Sequence, residues 1–271
     1  MTIMLIVMKM GGSILKEDPT EIVSDIKNIL SGNQMVLVHG GGKEVTDVAS
    51  KLGKDQDFVV SPEGFRSRYT DRETIEIFTM VMAGRINKQI VSKLQSQGVP
   101  AWGVSGLDGS LIRAERKKRL IVVDEIGRKR VIDGGYTGKI VEVNAVMLQL
   151  MLANGYVPVV SPLAIGQEFE PLNVDGDRAA AYIAGVLKAD RLVLLTDVEG
   201  LILNSKLVSK LNISEVKRTL PRIGKGMVTK IYAAMEALNM GVGEVLISSG
   251  LMRLPISSPL KHESGTVIVR E

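Results

Sequence analysis

Five short apolar runs recur along the chain, at residues 3–8, 35–38, 157–160, 192–195 and 245–247, and they read as strands of a parallel sheet buried on both faces. Longer segments of helical periodicity separate them, at about 20–30, 44–52, 71–97, 144–153, 177–187 and 227–240. The longest, 71–97, opens on Thr70 and Glu73, spaced as a capping box in which each side chain satisfies an amide of the other, and it stops at Gly98-Val99-Pro100. Strand and helix in alternation predict an α/β protein, a three-layer αβα sandwich around a mainly parallel central sheet. Between residues 111 and 136 the rhythm changes. Leu120-Ile-Val-Val-Asp and Arg130-Val-Ile-Asp, joined through Glu125-Ile126-Gly127-Arg128, predict a β-hairpin laid beside the main sheet.

Charge singles out that hairpin. The whole chain carries a net +4, yet residues 113–130 hold eight Lys or Arg against three acids. Elsewhere the composition is that of an ordinary folded protein, 45% hydrophobic and 24% charged over 271 residues, long enough for one large α/β domain or two lobes sharing a core. With no cysteine there is no disulfide, zinc-thiolate site or Cys nucleophile, and only His39 and His262 could serve as a histidine base. The opening apolar run has no basic flank, is too short to span a bilayer and leads straight into Lys9, so a cytoplasmic protein is expected.

The candidate chemistry sits where strands end in glycine. Lys9-Met-Gly11-Gly12-Ser13 closes the first run, and Val38-His39-Gly40-Gly41-Gly42 closes the second. Glycine lets the backbone approach a polyanion, and the helix that follows presents unpaired N–H groups with partial positive charge. The His-Gly-Gly-Gly sequence lacks the Gly-x-Ser-x-Gly elbow that a hydrolase would require, and Val45 stands where a dinucleotide fingerprint needs its third glycine, leaving an anion cradle or a plain tight turn. No P-loop occurs, so an ATP site would have to be built differently. Lys9 ends a buried strand, a costly place for an ammonium without an anion. Lys230 follows Gly224-Lys225-Gly226-Met227. In Asn173-Val174-Asp175-Gly176-Asp177, Asp177 is either the N-cap of the next helix or a functional acid, and calcium fits poorly because the other EF-hand ligands are missing. Arg68, just before a helix start, can grip a carboxylate bidentately or pair with an acid such as Glu73.

Taken together, Lys9-x-Gly-Gly-Ser, Val38-His-Gly-Gly-Gly, Arg68, Asn173-x-x-x-Asp177, Leu195-Thr-Asp-Val-x-Gly200, Gly226-Met-x-x-Lys230 and Gly265-Thr-Val-Ile resemble the amino acid kinase family, over nearly the whole chain. The likeness is closest to N-acetylglutamate kinase and to its relatives acting on glutamate or 2-aminoadipate attached to an amino-group carrier protein. The resemblance implies a carbamate-kinase-like fold with a β-hairpin flap, an amino-acid-binding and dimerising lobe at 1–172 and an ATP-binding lobe at 173–271 on one continuous sheet. It implies that Lys9 and Lys230 stabilise a transferring phosphoryl group, that Asp177 orients both, and that Gly41, Gly42, Arg68 and Asn173 hold the substrate. Gly11, Gly12, Ser13, Thr196, Asp197, Gly200, Leu201, Gly224, Gly226, Met227 and Lys230 would meet ATP, with Mg²⁺ arriving on the nucleotide and no metal site of the protein's own.

Arg68-Tyr69-Thr70-Asp71 and Gly135-Tyr136-Thr137-Gly138 resemble the carrier-linked branch, whose carrier is small, acidic and LysW-like. The hairpin residues Arg116, Lys117, Lys118, Arg119, Arg128, Lys129 and Arg130 would then steer that carrier by complementary charge. Lacking the extra N-terminal helix of hexameric acetylglutamate kinases, the chain is expected to form a homodimer. Two other readings stand beside this one: a plain N-acetylglutamate kinase of arginine synthesis, and a nucleic-acid-binding protein suggested by the pI near 9.2. The second is opposed by an aromatic content of 4%, which leaves the hairpin without stacking residues.

Overall fold

The computed structural model of the chain describes residues 3–11 and 20–271. An eight-stranded sheet runs through the molecule in the spatial order Lys210–Asn212, Thr266–Val269, Glu244–Ser249, Arg191–Thr196, Leu5–Met10, Gln34–His39, Val157–Ser161 and Ala101–Ser105. Every neighbouring pair is parallel except Glu244–Ser249 with Thr266–Val269. All five expected strands lie in it, each within two residues of its expected ends at most of the boundaries.

The pleat of these strands sorts their side chains into two cores. Ile6, Met8 and Met10 pack with Met35 and Leu37 beneath the helices Thr20–Leu30 and Gly42–Lys51 and the helical segment 72–96. Val7, Val36 and Val38 face the other way, toward the helices Ala145–Ala153, Gly176–Leu187 and Lys225–Asn239. This is the expected αβα sandwich. Lys9 shares the parity of Val7 and therefore rises on the side of Gly176–Leu187, whose alanines 179, 180, 181 and 184 are fully buried against the sheet.

A second sheet was not legible in the hydrophobic pattern. It runs in the order Pro171–Asn173, Leu163–Ile165, Ile112–Arg116 and Gly138–Val143, and the hairpin Arg119–Val123 with Lys129–Asp133 springs from it as a separate two-stranded flap. The flap therefore does not lie beside the main sheet. A smaller hairpin pairs Phe58–Val60 with Arg66–Arg68. Among the described residues no helix is long and apolar enough to cross a membrane.

The long helix departs from its expectation twice. Its cap is Asp71, whose carboxylate accepts the Thr74 N–H at 2.8 Å. No capping box forms, because Thr70 is buried with its hydroxyl donated to the Arg68 carbonyl, while Glu73 pairs with Lys54. The helix also widens to π-helical turns at Met80–Ile86 before resuming as Asn87–Ser96. Just past the widened turns, the buried Asn87 amide donates to the carbonyls of Val159 and Val104 and to His39 Nε2, tying three strand ends together beneath the glycine turn. Asn87→Ala strands those acceptors without water, and urea unfolding is expected to show a stability loss of roughly 2–3 kcal/mol.

Candidate active site

The C-terminal ends of the parallel strands collect at one edge of the sheet, where α/β proteins bind ligands. Lys9, near the end of the first strand, extends its ammonium to 2.7 Å from one oxygen of Asp177, and Lys230, on the helix Lys225–Asn239, reaches 3.0 Å from the other. All three side chains are nearly enclosed. The helix cap is supplied by Asp175, which accepts the Arg178 N–H at 2.9 Å and so leaves both Asp177 oxygens for the lysines. The N-cap reading of Asp177 therefore does not hold, because Asp175 takes that position.

Electrostatics follow from this bridge. Burial opposes the Lys9 charge, and the Asp177 carboxylate overrides that opposition to raise its pKa. Burial likewise works against the Asp177 carboxylate, yet the two ammonium groups pull its pKa down to about 2. Desolvation and the neighbouring Asp177 charge push Asp175 up.

Beside the bridge opens a cleft of about 680 Å³ whose walls include Lys9, Gly41, Gly42, Arg68, Lys117 and Asn173. The glycine turn meets the long helix closely: a Cβ on Gly41 would run into the side chains of Ile86 and Met82. Arg68 is buried, and its guanidinium donates to the Gly42 carbonyl at 2.7 Å, to Thr46 Oγ1 at 2.9 Å and to Gln56 Oε1. None of these partners is charged, and the expected alternative, an ion pair with Glu73, does not form. Desolvation, with Arg66 nearby, lowers its pKa. Asn173 donates its amide to Thr70 Oγ1 at 3.0 Å, which fixes it in the wall. His39 is buried with Nδ1 on the Gly40 carbonyl, and burial lowers its pKa to about 4, so it is neutral and belongs to the packing of the turn.

Of the described residues expected to meet a nucleotide, Lys230 belongs to the bridge and the others are not among those lining that cleft. Thr196 ends its strand with its hydroxyl on Asp197 at 3.0 Å, and Gly11 follows the first strand. Leu201 is a core residue, its N–H held by Thr266 Oγ1 at 2.8 Å beside Gly200. Gly224 is the N-cap position of the helix Lys225–Asn239, which has no side-chain cap; a Cβ at Gly224 or Gly226 would meet no atom within 4 Å, and Met227 packs on the core. Gly12 and Ser13 lie outside the described residues. Sequence reasoning missed Gln56 and Thr46, which orient Arg68, and the edge-on pair Phe65–Tyr232 whose members also line the cleft. Gln56 stands in a polar stretch with no motif to mark it.

Residues 4–249 match the amino acid kinase family. The chain belongs to that family. It is 47% identical over 266 residues to the LysW-aminoadipate/LysW-glutamate kinase of Saccharolobus islandicus, covering 98% of this chain and 99% of that protein. A Cenarchaeum symbiosum protein, named provisionally for the same activity, is 55% identical over 264 residues, 97% of this chain and 99% of its own. Carbamate kinase from Giardia lamblia bound to AMP-PNP shares the fold, with a TM-score of 0.70 at 18% identity over all of this chain and 99% of that one. The family and the fold expected from the motifs are thus both found.

The depressed Asp177 pKa makes a thermodynamic prediction. Because the folded value lies below the ordinary 3.8, the carboxylate stabilises the fold above about pH 4, and this contribution is lost as pH falls through about 2. Urea unfolding of Asp177→Asn beside the parent protein is expected to show a deficit on the order of 2 kcal/mol at neutral pH that closes on acidification over that range.

Proposed function

We propose that this amino acid kinase transfers the γ-phosphoryl group of ATP to the side-chain carboxylate of 2-aminoadipate, glutamate or both, attached to a small acidic carrier protein, in lysine or arginine biosynthesis. The observation that carries the chemistry is the pair of ammonium groups held by one carboxylate at the edge of a cleft lined by an arginine without an acidic partner. The near-full-length likeness to carrier-linked kinases supports the substrate class, and no observation favours an N-acetylglutamate kinase or a nucleic-acid-binding protein.

A carboxylate, with an ordinary pKa near ~4, is already ionised at neutral pH and attacks phosphorus without a general base. Its oxygen forms the new bond to Pγ as the bond from Pγ to the bridging oxygen breaks, ADP leaves, and the product is an acyl phosphate. What the protein supplies is alignment and positive charge. Lys9 and Lys230 meet the equatorial oxygens, Asp177 keeps the lysines at fixed separation, and Gly41, Gly42, Arg68 and Asn173 hold the amino-acid end. ATP would lie toward Thr196, Asp197, Gly200 and the helix start at Gly224 and Gly226, bringing Mg²⁺ as part of the nucleotide substrate. In this reading 1–172 serve the amino acid and 173–271 the nucleotide. Two copies would pair as a homodimer in the cytoplasm. The exposed Trp102–Tyr156 pair, beside the open edge strand of the main sheet, offers apolar surface for pairing.

Coupled ADP-release assays on carrier-linked 2-aminoadipate, carrier-linked glutamate and free N-acetylglutamate test the proposal. Turnover of a carrier-linked substrate at far higher kcat/KM than N-acetylglutamate is expected, and the reverse order overturns the substrate assignment. Lys9→Met and Lys230→Met are each expected to lower kcat by roughly 10² or more, with thermal stability nearly intact. Near-parental turnover in either would remove that lysine from the reaction.

A further inference from the structure

The basic segment does not act as a single surface. Of its eight cations, Arg113 faces Glu142 at 4.0 Å, and Arg128 and Arg130 both pair with Asp124. Arg116 donates to the Gly135 carbonyl at 2.6 Å and stacks on the Tyr136 ring at 4.2 Å. Lys117 differs from these four. Among the described residues it makes no ion pair, and, though exposed, it is among the residues lining the cleft that also contains Lys9, Arg68 and Asn173.

Its position is fixed by backbone hydrogen bonds at the base of the flap. Lys117 follows directly on the strand Ile112–Arg116 and precedes the flap strand Arg119–Val123. Its N–H donates to the Thr137 carbonyl at 2.9 Å, and Thr137 is bridged to Asn173. Gly134 closes from the other side, its N–H on the Lys118 carbonyl at 3.1 Å, and a Cβ there would collide with the Lys117 carbonyl. A side chain rooted between Thr137 and Gly134 is thus anchored to the same wall as Asn173. The charges around it leave it unneutralised. Arg178 and Lys139 repel it, Asp175 attracts it more weakly, and desolvation is the largest influence, so its pKa is lowered. Arg178 has its own acid, Glu236, at 2.9 Å.

We infer that Lys117 contacts a carboxylate of the amino-acid end of the substrate inside the cleft, rather than the surface of the carrier protein. This rests on the proposed function and deepens it. The substrate would present two carboxylates, one at the α-carbon beside the amide that joins it to the carrier and one, the reacting group, at the end of its side chain. The cations lining the cleft that make no ion pair among the described residues are Arg66, which lies over the Phe58 ring, Arg68 and Lys117, and of these Lys117 shares the wall of Asn173. Lys117 would bind the substrate, leaving the phosphoryl group to Lys9 and Lys230 in the proposed reaction. The rest of the basic segment, Lys118, Arg119 and Lys129 with the paired arginines, remains outside the cleft and free to face a carrier.

The test compares calorimetric binding of two probes, the carrier loaded with 2-aminoadipate and the carrier without the attached amino acid, to the parent protein, Lys117→Met and Lys117→Arg. Lys117→Met is expected to weaken the loaded carrier tenfold or more, to leave the unloaded carrier within twofold, and to raise KM with little change in kcat. Lys117→Arg is expected to recover most of the loss. Equal weakening of both probes would place Lys117 against the carrier itself, and no weakening of either would make it a bystander. Both results overturn the inference. If the parent protein binds neither probe, the proposed function fails, an outcome distinct from failure at Lys117.

Discussion

One carboxylate shared by two ammonium groups is the constraint on which the site depends. Asp177 neutralises half of the charge that Lys9 and Lys230 bring to an enclosed corner of the protein, so the trio carries a net positive charge in surroundings where an isolated ion is costly. In the proposed reaction the transferring phosphoryl group would meet that surplus. The parity of the first strand sends Lys9 toward the helix Gly176–Leu187, Asp175 takes over the capping of that helix, and the alanines behind it let the helix lie close on the sheet. Each of these local features serves the same three-residue bridge.

Arg68 works on the opposite principle. Where the lysines are held by an acid, the arginine is held by neutral acceptors, a backbone carbonyl, a hydroxyl and an amide oxygen. Hydrogen bonds fix its plane without cancelling its charge, and its attraction for a carboxylate is kept in reserve. Rigid placement and undischarged potential are obtained together because Gly42, Thr46 and Gln56 come from segments that converge only in the folded chain.

Much of this was legible in the sequence, and the physical reasons are specific. Buried parallel strands announce themselves as apolar runs, and so all five expected strands were placed; short strands such as Lys210–Asn212 and the members of the second sheet have no such run and were missed. Lys9 stood out as an ammonium at the end of a buried strand, Lys230 through the glycines before it, and Asp177, an ordinary residue at a helix start, through the family resemblance. Thr70 and Glu73 had the spacing of a capping box, but spacing does not show that Asp71 lies between them with a better-placed oxygen or that Lys54 competes for Glu73. In the same way, eight cations in a row of sequence looked like one patch. Only the fold shows that pairing discharges Arg113, Arg128 and Arg130 while Lys117 turns into the cleft.

The contact between Gly41 and the widened turns of the long helix extends the site beyond the residues that touch substrate. Ile86 and Met82 press on a backbone position with no room for even one more carbon, so the glycine turn proposed to cradle the substrate is located by two greasy side chains on another element. Bulk added at either position would be transmitted directly to the cradle, and bulk removed would let it drift. Evolutionary freedom at Ile86 and Met82 is therefore narrower than their chemistry suggests, and a mutational survey that scored only polar groups would overlook them.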